Sequence, residues 1–254
     1  MTRDEIIEHL TDKLKNDSLV YAFWLEGADA QDRTDEYSDI DIWLDVEDGH
    51  ESETLNKIEI ILSELGKVDF SYEVKHPHPK IKQGFFHIEG TSEFLIIDVC
   101  VQSHSRVFWY TEGFQDEKAK VIFDKDNVIK YKPMNQQEFE KETSARIAEL
   151  KKTFPFFQTL VKKSANRGNF LEALGSYHEK ILNPLVEILR IKYQPTKKDF
   201  YLKDISRDIP KKLLTELEDL YKIDSLDDIK TKGQKAEELF WVKFEKPDQL
   251  VCKI

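Results

Sequence analysis

Cysteine is scarce in this chain, two in 254 residues, and their placement excludes more than their number does. Cys100 and Cys252 lie far apart and match no metal-ligand spacing, so neither a zinc site nor a disulfide is expected. Cys100 stands inside FLIIDVCV, where a thiol behaves as a small apolar core side chain. Long apolar runs are also missing. None reaches the ~18 residues that a membrane helix needs, and the opening MTRDEIIEHL is charged with helical periodicity where a secretory leader would be apolar. A soluble, cytoplasmic protein is the expectation. Positive charge is in deficit: the formal net charge of −11 argues against a dedicated duplex-binding protein, because neutralising phosphates requires a basic face. Internal repeats and low-complexity tracts are absent.

What charge there is divides unevenly. Residues 1–150 carry 33 acidic against 17 basic side chains, and residues 151–254 carry 16 against 21. An acidic first part and a mildly basic second part suggest two units, although solvated surface charge without further meaning reads equally well. The periodicities divide the same way. Ile6, Ile7, Leu10 and Leu14 recur at helical spacing after a Thr2–Glu5 capping box. VYAFWL at 20–25 reads as a strand that ends at Gly27. Residues 51–65 form a helix closed by Gly66, and strand-like runs follow at 69–75, 84–90 and 93–102. Strand signals fade near Lys120–Asp124. Beyond Lys132–Pro133 the period is helical, with Phe170, Leu174, Tyr177, Ile181, Leu185 and Ile188 as a buried stripe. NRGN at 166–169 breaks one helix from the next, and Pro184 should kink or restart the second. The fold class is therefore α+β, a mixed sheet flanked by helices followed by a helical bundle.

The informative stretch is EGADAQDRTDEYSDIDIWLDV, Glu26 to Val46. From Ile40 the run alternates, so Ile40, Ile42, Leu44 and Val46 face the core while Asp39, Asp41, Trp43 and Asp45 face the other way. Two aspartates one residue apart on a strand repel each other unless a cation intervenes. Hard oxygen ligands favour Mg²⁺, which takes one or two carboxylates and completes its shell with substrate phosphates. Gly27 supplies a bend at which backbone N–H groups can approach a phosphate chain.

This pattern resembles the signature of the polymerase β type nucleotidyltransferase superfamily: an apolar residue, glycine and a small residue, a spacer, an Asp-x-Asp pair in an apolar strand, and a third carboxylate on a later strand. Here Leu25, Glu26, Gly27 and Ala28 precede the spacer DAQDRTDEYS, Asp39 and Asp41 form the pair, and Asp98 is the third acid. YSDID, and the helix, break and helix over 157–193, make the chain similar to the small bacterial aminoglycoside and lincosamide nucleotidyltransferases. The resemblance implies a catalytic domain over 1–132 and a helical substrate-binding domain over 133–254. It implies Mg²⁺ on Asp39 and Asp41, one ion or two, with Asp98 as a further metal ligand or as the general base. The implied reaction moves a nucleoside monophosphate, AMP from ATP, onto a hydroxyl of a small acceptor, with pyrophosphate released. A homodimer is compatible with it.

One departure stands out. Ala28 occupies the position where the family often has serine, which removes a hydroxyl from the phosphates. A hydrogen bond to a charged group is worth about 1.5–3 kcal/mol, so nucleotide binding would weaken by about tenfold to a hundredfold. Two other readings stay open: a non-catalytic nucleotide-binding module of the same fold, and transfer to a protein or an RNA end. A mildly basic second part is also a poor lure for polycationic aminoglycosides. Lys162, Lys163 and Arg167, at the end of a helix, are either triphosphate ligands or a solvated helix end. Asp45 shares the parity of Asp41 and is read as peripheral, and Trp43 as core or as a platform for a base or sugar. His76 and His78 in HPHPK have no third soft ligand nearby, so zinc is not expected there. Tyr177 belongs to the core.

Overall fold

The computed structural model describes residues 1–244, so Cys252 lies outside the described residues. The chain divides into two compact units, Met1–Met134 and Asn135–Ile254.

In the first unit, α1 (Arg3–Leu14) begins at the predicted capping box: Thr2 Oγ1 accepts from the Glu5 N–H at 3.3 Å, and the Glu5 carboxylate accepts from the Thr2 N–H at 2.6 Å. Then come β1 (Val20–Leu25), the single turn α2 (Gly27–Ala30), β2 (Ile40–Val46), α3 (Glu51–Ser63), β3 (Val68–Val74), β4 (Ile81–Ile88) and β5 (Ile97–Ser103). The short β6 (Tyr110–Thr111) and β8 (Tyr131–Lys132) pair with each other, and β7 (Lys120–Asp124) joins the main sheet. Among the described residues that sheet has six strands in the order β3-β4-β5-β2-β1-β7. Only β2 and β5 run parallel; the other neighbours are antiparallel.

Alternation decides the faces. Ile40, Ile42, Leu44 and Val46 on β2 and Ile97, Val99 and Val101 on β5 are buried with Ile6, Leu10 and Leu14 of α1 and Leu55, Ile58 and Leu62 of α3. Each such aliphatic side chain contributes about 1.5–3 kcal/mol of burial. The helices thus cover one face and leave the other to the polar residues of alternate parity. Two readings change here. Lys120–Asp124 is an edge strand beside β1, legible only weakly because one side of its ladder is unpaired and its residues are partly exposed. Gly66, past the end of α3, is required by packing: a Cβ there would come within 2.8 Å of Ile88 Cγ2.

The second unit is helical over the described residues: α4 (Gln136–Asn166), α5 (Phe170–Tyr177), α6 (Asn183–Tyr193), α7 (Ile205–Asp208), α8 (Lys211–Tyr221) and α9 (Leu226–Phe244), with a 3₁₀ segment at Pro195–Phe200. Tyr177, Ile181, Leu185 and Ile188 are buried in its core, with Phe170 and Leu174 partly buried against it. The Tyr177 hydroxyl donates to the Leu220 carbonyl at 2.9 Å. The expected disturbance at Pro184 is a π-helical turn, His178–Leu182, between α5 and α6. Proline has no N–H and its ring clashes with the carbonyl one turn back, and a widened turn relieves both. No helix among the described residues is long and apolar enough to cross a membrane.

Candidate functional site

The site is built where β1 ends and β2 and β5 begin. Parallel pairing sets Asp41 directly opposite Asp98, and the Glu26 N–H donates to the Asp41 carbonyl at 3.0 Å on the other side. Trp24 lies opposite Trp43, so Glu26, two residues on, shares their face. Glu26, Asp41 and Asp98 therefore stand in one row across three strands, and Asp39 sits just before β2. The sequence reading missed Glu26, because its place in the row depends on the β1–β2 register.

Gly27 makes the bend. Its φ of +57° is in the left-handed region, and a Cβ would overlap Asp41 Oδ2 and stand 2.9 Å from Asp41 Cγ. The turn is held from α1. Arg3 pairs with the buried Asp29 and donates through Nη1 to the Ser38 carbonyl and through Nη2 to the Asp39 carbonyl, each at 2.8 Å. One guanidinium thus ties α2 to the approach to β2. No periodicity marks that role for Arg3.

The third acid has its own partner. Gln83 Nε2 on β4 donates to both Asp98 oxygens, at 2.9 and 3.0 Å, drawing the carboxylate toward β4. Burial pushes the Asp98 carboxyl above its ordinary pKa and the Asp39 charge adds to this, while the Gln83 hydrogen bonds act the other way. Burial likewise raises Glu26, against hydrogen bonds from the Tyr110 hydroxyl and from Trp24 Nε1 at 3.1 Å. Cys100, two residues further along β5 and opposite Trp43, is a buried free thiol whose pKa is raised by burial and then by the charges of Asp98, Glu26 and Asp41.

Among the described residues no three His, Cys, Asp or Glu side chains are grouped so as to hold a metal ion as they stand. The residues nonetheless fit Mg²⁺ in donor chemistry. They offer carboxylate oxygens only, Asp39 and Asp98 repel each other, and Mg²⁺ is usually held by one or two carboxylates plus substrate phosphates and not by an all-protein cage.

Other expectations fall elsewhere. Asp45 stands apart from the row of acids, and parity alone does not show its depth. It is fully buried, accepting from Gln102 Nε2 at 2.6 Å and lying 2.5 Å from His104 Nδ1, because the loop after β5 covers that end of the sheet. Trp43 is stacked on Trp24, 5.8 Å between ring centroids, with the Arg106 guanidinium 5.6 Å from its own, so packing accounts for it. Lys162 and Arg167 belong to the second unit and are exposed; Lys162 lies 3.8 Å from Glu237 and Arg167 caps α4. His76 and His78 use their Nδ1 atoms to accept N–H groups two residues on, at 3.1 Å, in an exposed loop. No protein-family model matches the chain, and no curated protein matches it.

Proposed function

We infer that the chain is a Mg²⁺-dependent nucleotidyltransferase. Its first unit would be the catalytic fold of the polymerase β type, moving AMP from ATP onto a hydroxyl of a small molecule. The observation that carries this reading is the in-register pairing of Asp41 with Asp98 directly beside the Gly27 bend.

Asp39 and Asp41 would hold the ion, with Asp98 next to them. Bound there, Mg²⁺ supplies neutralisation for the triphosphate and the departing pyrophosphate. The Gly27 bend admits the phosphate chain close to the backbone, and Ala28 contributes no hydroxyl to it. Asp98, fixed by Gln83, takes the proton of the acceptor hydroxyl. The acceptor's hydroxyl oxygen forms a bond to the α-phosphorus as the bond to the β-phosphate oxygen breaks, and pyrophosphate leaves with the electron pair.

The test is pyrophosphate release from each nucleoside triphosphate with Mg²⁺ over a panel of hydroxylated acceptors. Asp39→Asn and Asp41→Asn should abolish turnover with the fold intact, and Asp98→Asn should cost about 10²–10⁴ in rate. Turnover surviving Asp41→Asn would remove this reading. A non-catalytic nucleotide-binding module is the second reading, favoured by Ala28. It predicts Mg²⁺-assisted ATP uptake with no pyrophosphate release from any acceptor.

A further inference from the structure

The neighbours of Asp98 on the side away from Asp41 bear on the acceptor. Asp98 lies opposite Phe85 on β4, and Phe85 lies opposite Tyr72 on β3. Directly opposed residues share a face of a sheet. The row Glu26, Asp41, Asp98 therefore continues in the same line as Phe85 and Tyr72, with Phe70 and Val74 beside Tyr72 along β3. Tyr72 and Phe70 are 58% and 51% exposed, and together with Phe85 they make a contiguous aromatic strip. Tyr72 and Val74 on β3 and Gln83 and Phe85 on β4 carry no charge; at the far end of the strip His87, opposite Phe70, lies 2.6 Å from Asp69. Gln83, two residues before Phe85 on the same face, donates to both Asp98 oxygens. A second exposed aromatic pair, Tyr37 and Phe94, has ring centroids 5.1 Å apart where β2 and β5 begin.

We propose that the acceptor is an uncharged small molecule with a flat aromatic body and a hydroxyl. Its rings lie on Tyr72 and Phe85, and the hydroxyl reaches Asp98. This rests on the nucleotidyl-transfer reading and names its substrate class. Aromatic faces stack flat ligands with an attraction beyond area burial, whereas Tyr72, Phe85 and Val74 offer a polycation no ion-pair partner, and Asp69 at the far end is already paired with His87. The strip supplies orientation only; the group transfer is the one written above, with the proton passing from the acceptor to Asp98.

Two measurements on the full chain separate this inference from the reading beneath it. In the first, a neutral flavonol is titrated calorimetrically into the wild type, Tyr72→Ala and Phe70→Ala. Because both side chains are exposed, the variants should fold normally, which a thermal melt checks. The expected result is binding weakened about tenfold by Tyr72→Ala. No binding, or equal binding by all three proteins, overturns the inference whatever the enzymology shows. In the second, pyrophosphate release with ATP and Mg²⁺ is compared for the flavonol and for an aminoglycoside. Release with the flavonol, with Tyr72→Ala raising the KM for flavonol about tenfold and leaving the KM for ATP unchanged, is the expected outcome. Release with the aminoglycoside alone overturns the inference and leaves nucleotidyl transfer standing. Release with neither, together with ATP uptake indifferent to Asp41→Asn, removes nucleotidyl transfer, and the titration still decides what the strip binds.

Discussion

Gly27 and Asp41 stand so close that no side chain fits between them. A Cβ on Gly27 would overlap Asp41 Oδ2, and the same residue holds a φ of +57° that L side chains rarely adopt. The two demands are independent, one steric and one conformational. Gly27→Ala should therefore cost about 1–2 kcal/mol through the backbone alone, seen as a lower melting temperature. It should also displace the Asp41 carboxylate, so pyrophosphate release should fall well below what the folded fraction accounts for. Activity that merely tracks stability would mean that the bend has no part in placing Asp41.

Arg3 offers a test of the clamp that holds this bend. Its guanidinium joins the buried Asp29 on α2 to the carbonyls of Ser38 and Asp39 ahead of β2. Arg3→Ala leaves a buried carboxylate and two carbonyls without their donor, at a cost of about 2–4 kcal/mol in chemical unfolding. Arg3→Lys should recover little, since one ammonium cannot span the three acceptors that a planar fork reaches. A full rescue by lysine would reduce the clamp to a charge effect.

How much of this could be read in advance depends on the range of the interaction. The β2 alternation is local, so Asp39 and Asp41 declare their shared side from sequence alone. Parity does not tell how deep a residue lies: Asp45 points the same way as Asp41, but the chain returning after β5 brings His104 over it and buries it. Glu26 enters the row only through the register of β1 on β2, and Phe85 and Tyr72 join it only through two further pairings. Arg3 acts across the gap between α1 and the residues before β2, a contact that no window of sequence contains. Long helices and a glycine bend are local events; side-chain partnerships are not.

The second unit contains a buried charge cluster that should govern its stability. Arg190, fully buried, donates to Asp208 at 2.6 Å, to the Tyr201 carbonyl at 2.5 Å and to the Lys203 carbonyl, and Lys197 reaches the other Asp208 oxygen at 3.3 Å. These contacts hold the chain where Tyr201 and Asp204 take positive φ. Arg190→Ala removes the cation from a buried pair, a change that costs about 3–5 kcal/mol. Hydrogen exchange should locate the damage, with amides of 195–208 losing protection first. Uniform loss across the unit would show that the cluster does not act locally.

A pH window should follow from His87 and Asp69. His87 Nδ1 lies 2.6 Å from Asp69 Oδ1, and Nε2 lies 3.1 Å from the Ser92 carbonyl, so a ring protonated on both nitrogens satisfies both acceptors. The hydrogen bond to Asp69 raises the His87 pKa, and the same bond lowers that of Asp69. For a histidine raised on folding, the stabilisation is complete below its unfolded pKa of about 6.5 and is lost as pH rises through the folded value. For an aspartate lowered on folding, it is complete above about 3.9 and is lost as pH falls through the folded value. The pair therefore contributes most between about pH 4 and 6.5. Urea unfolding of the wild type against His87→Gln across this range should show the difference in stability shrinking above neutrality. A difference that holds steady up to pH ~8, well past the ordinary histidine range, would mean that the neutral ring serves as well as the cation.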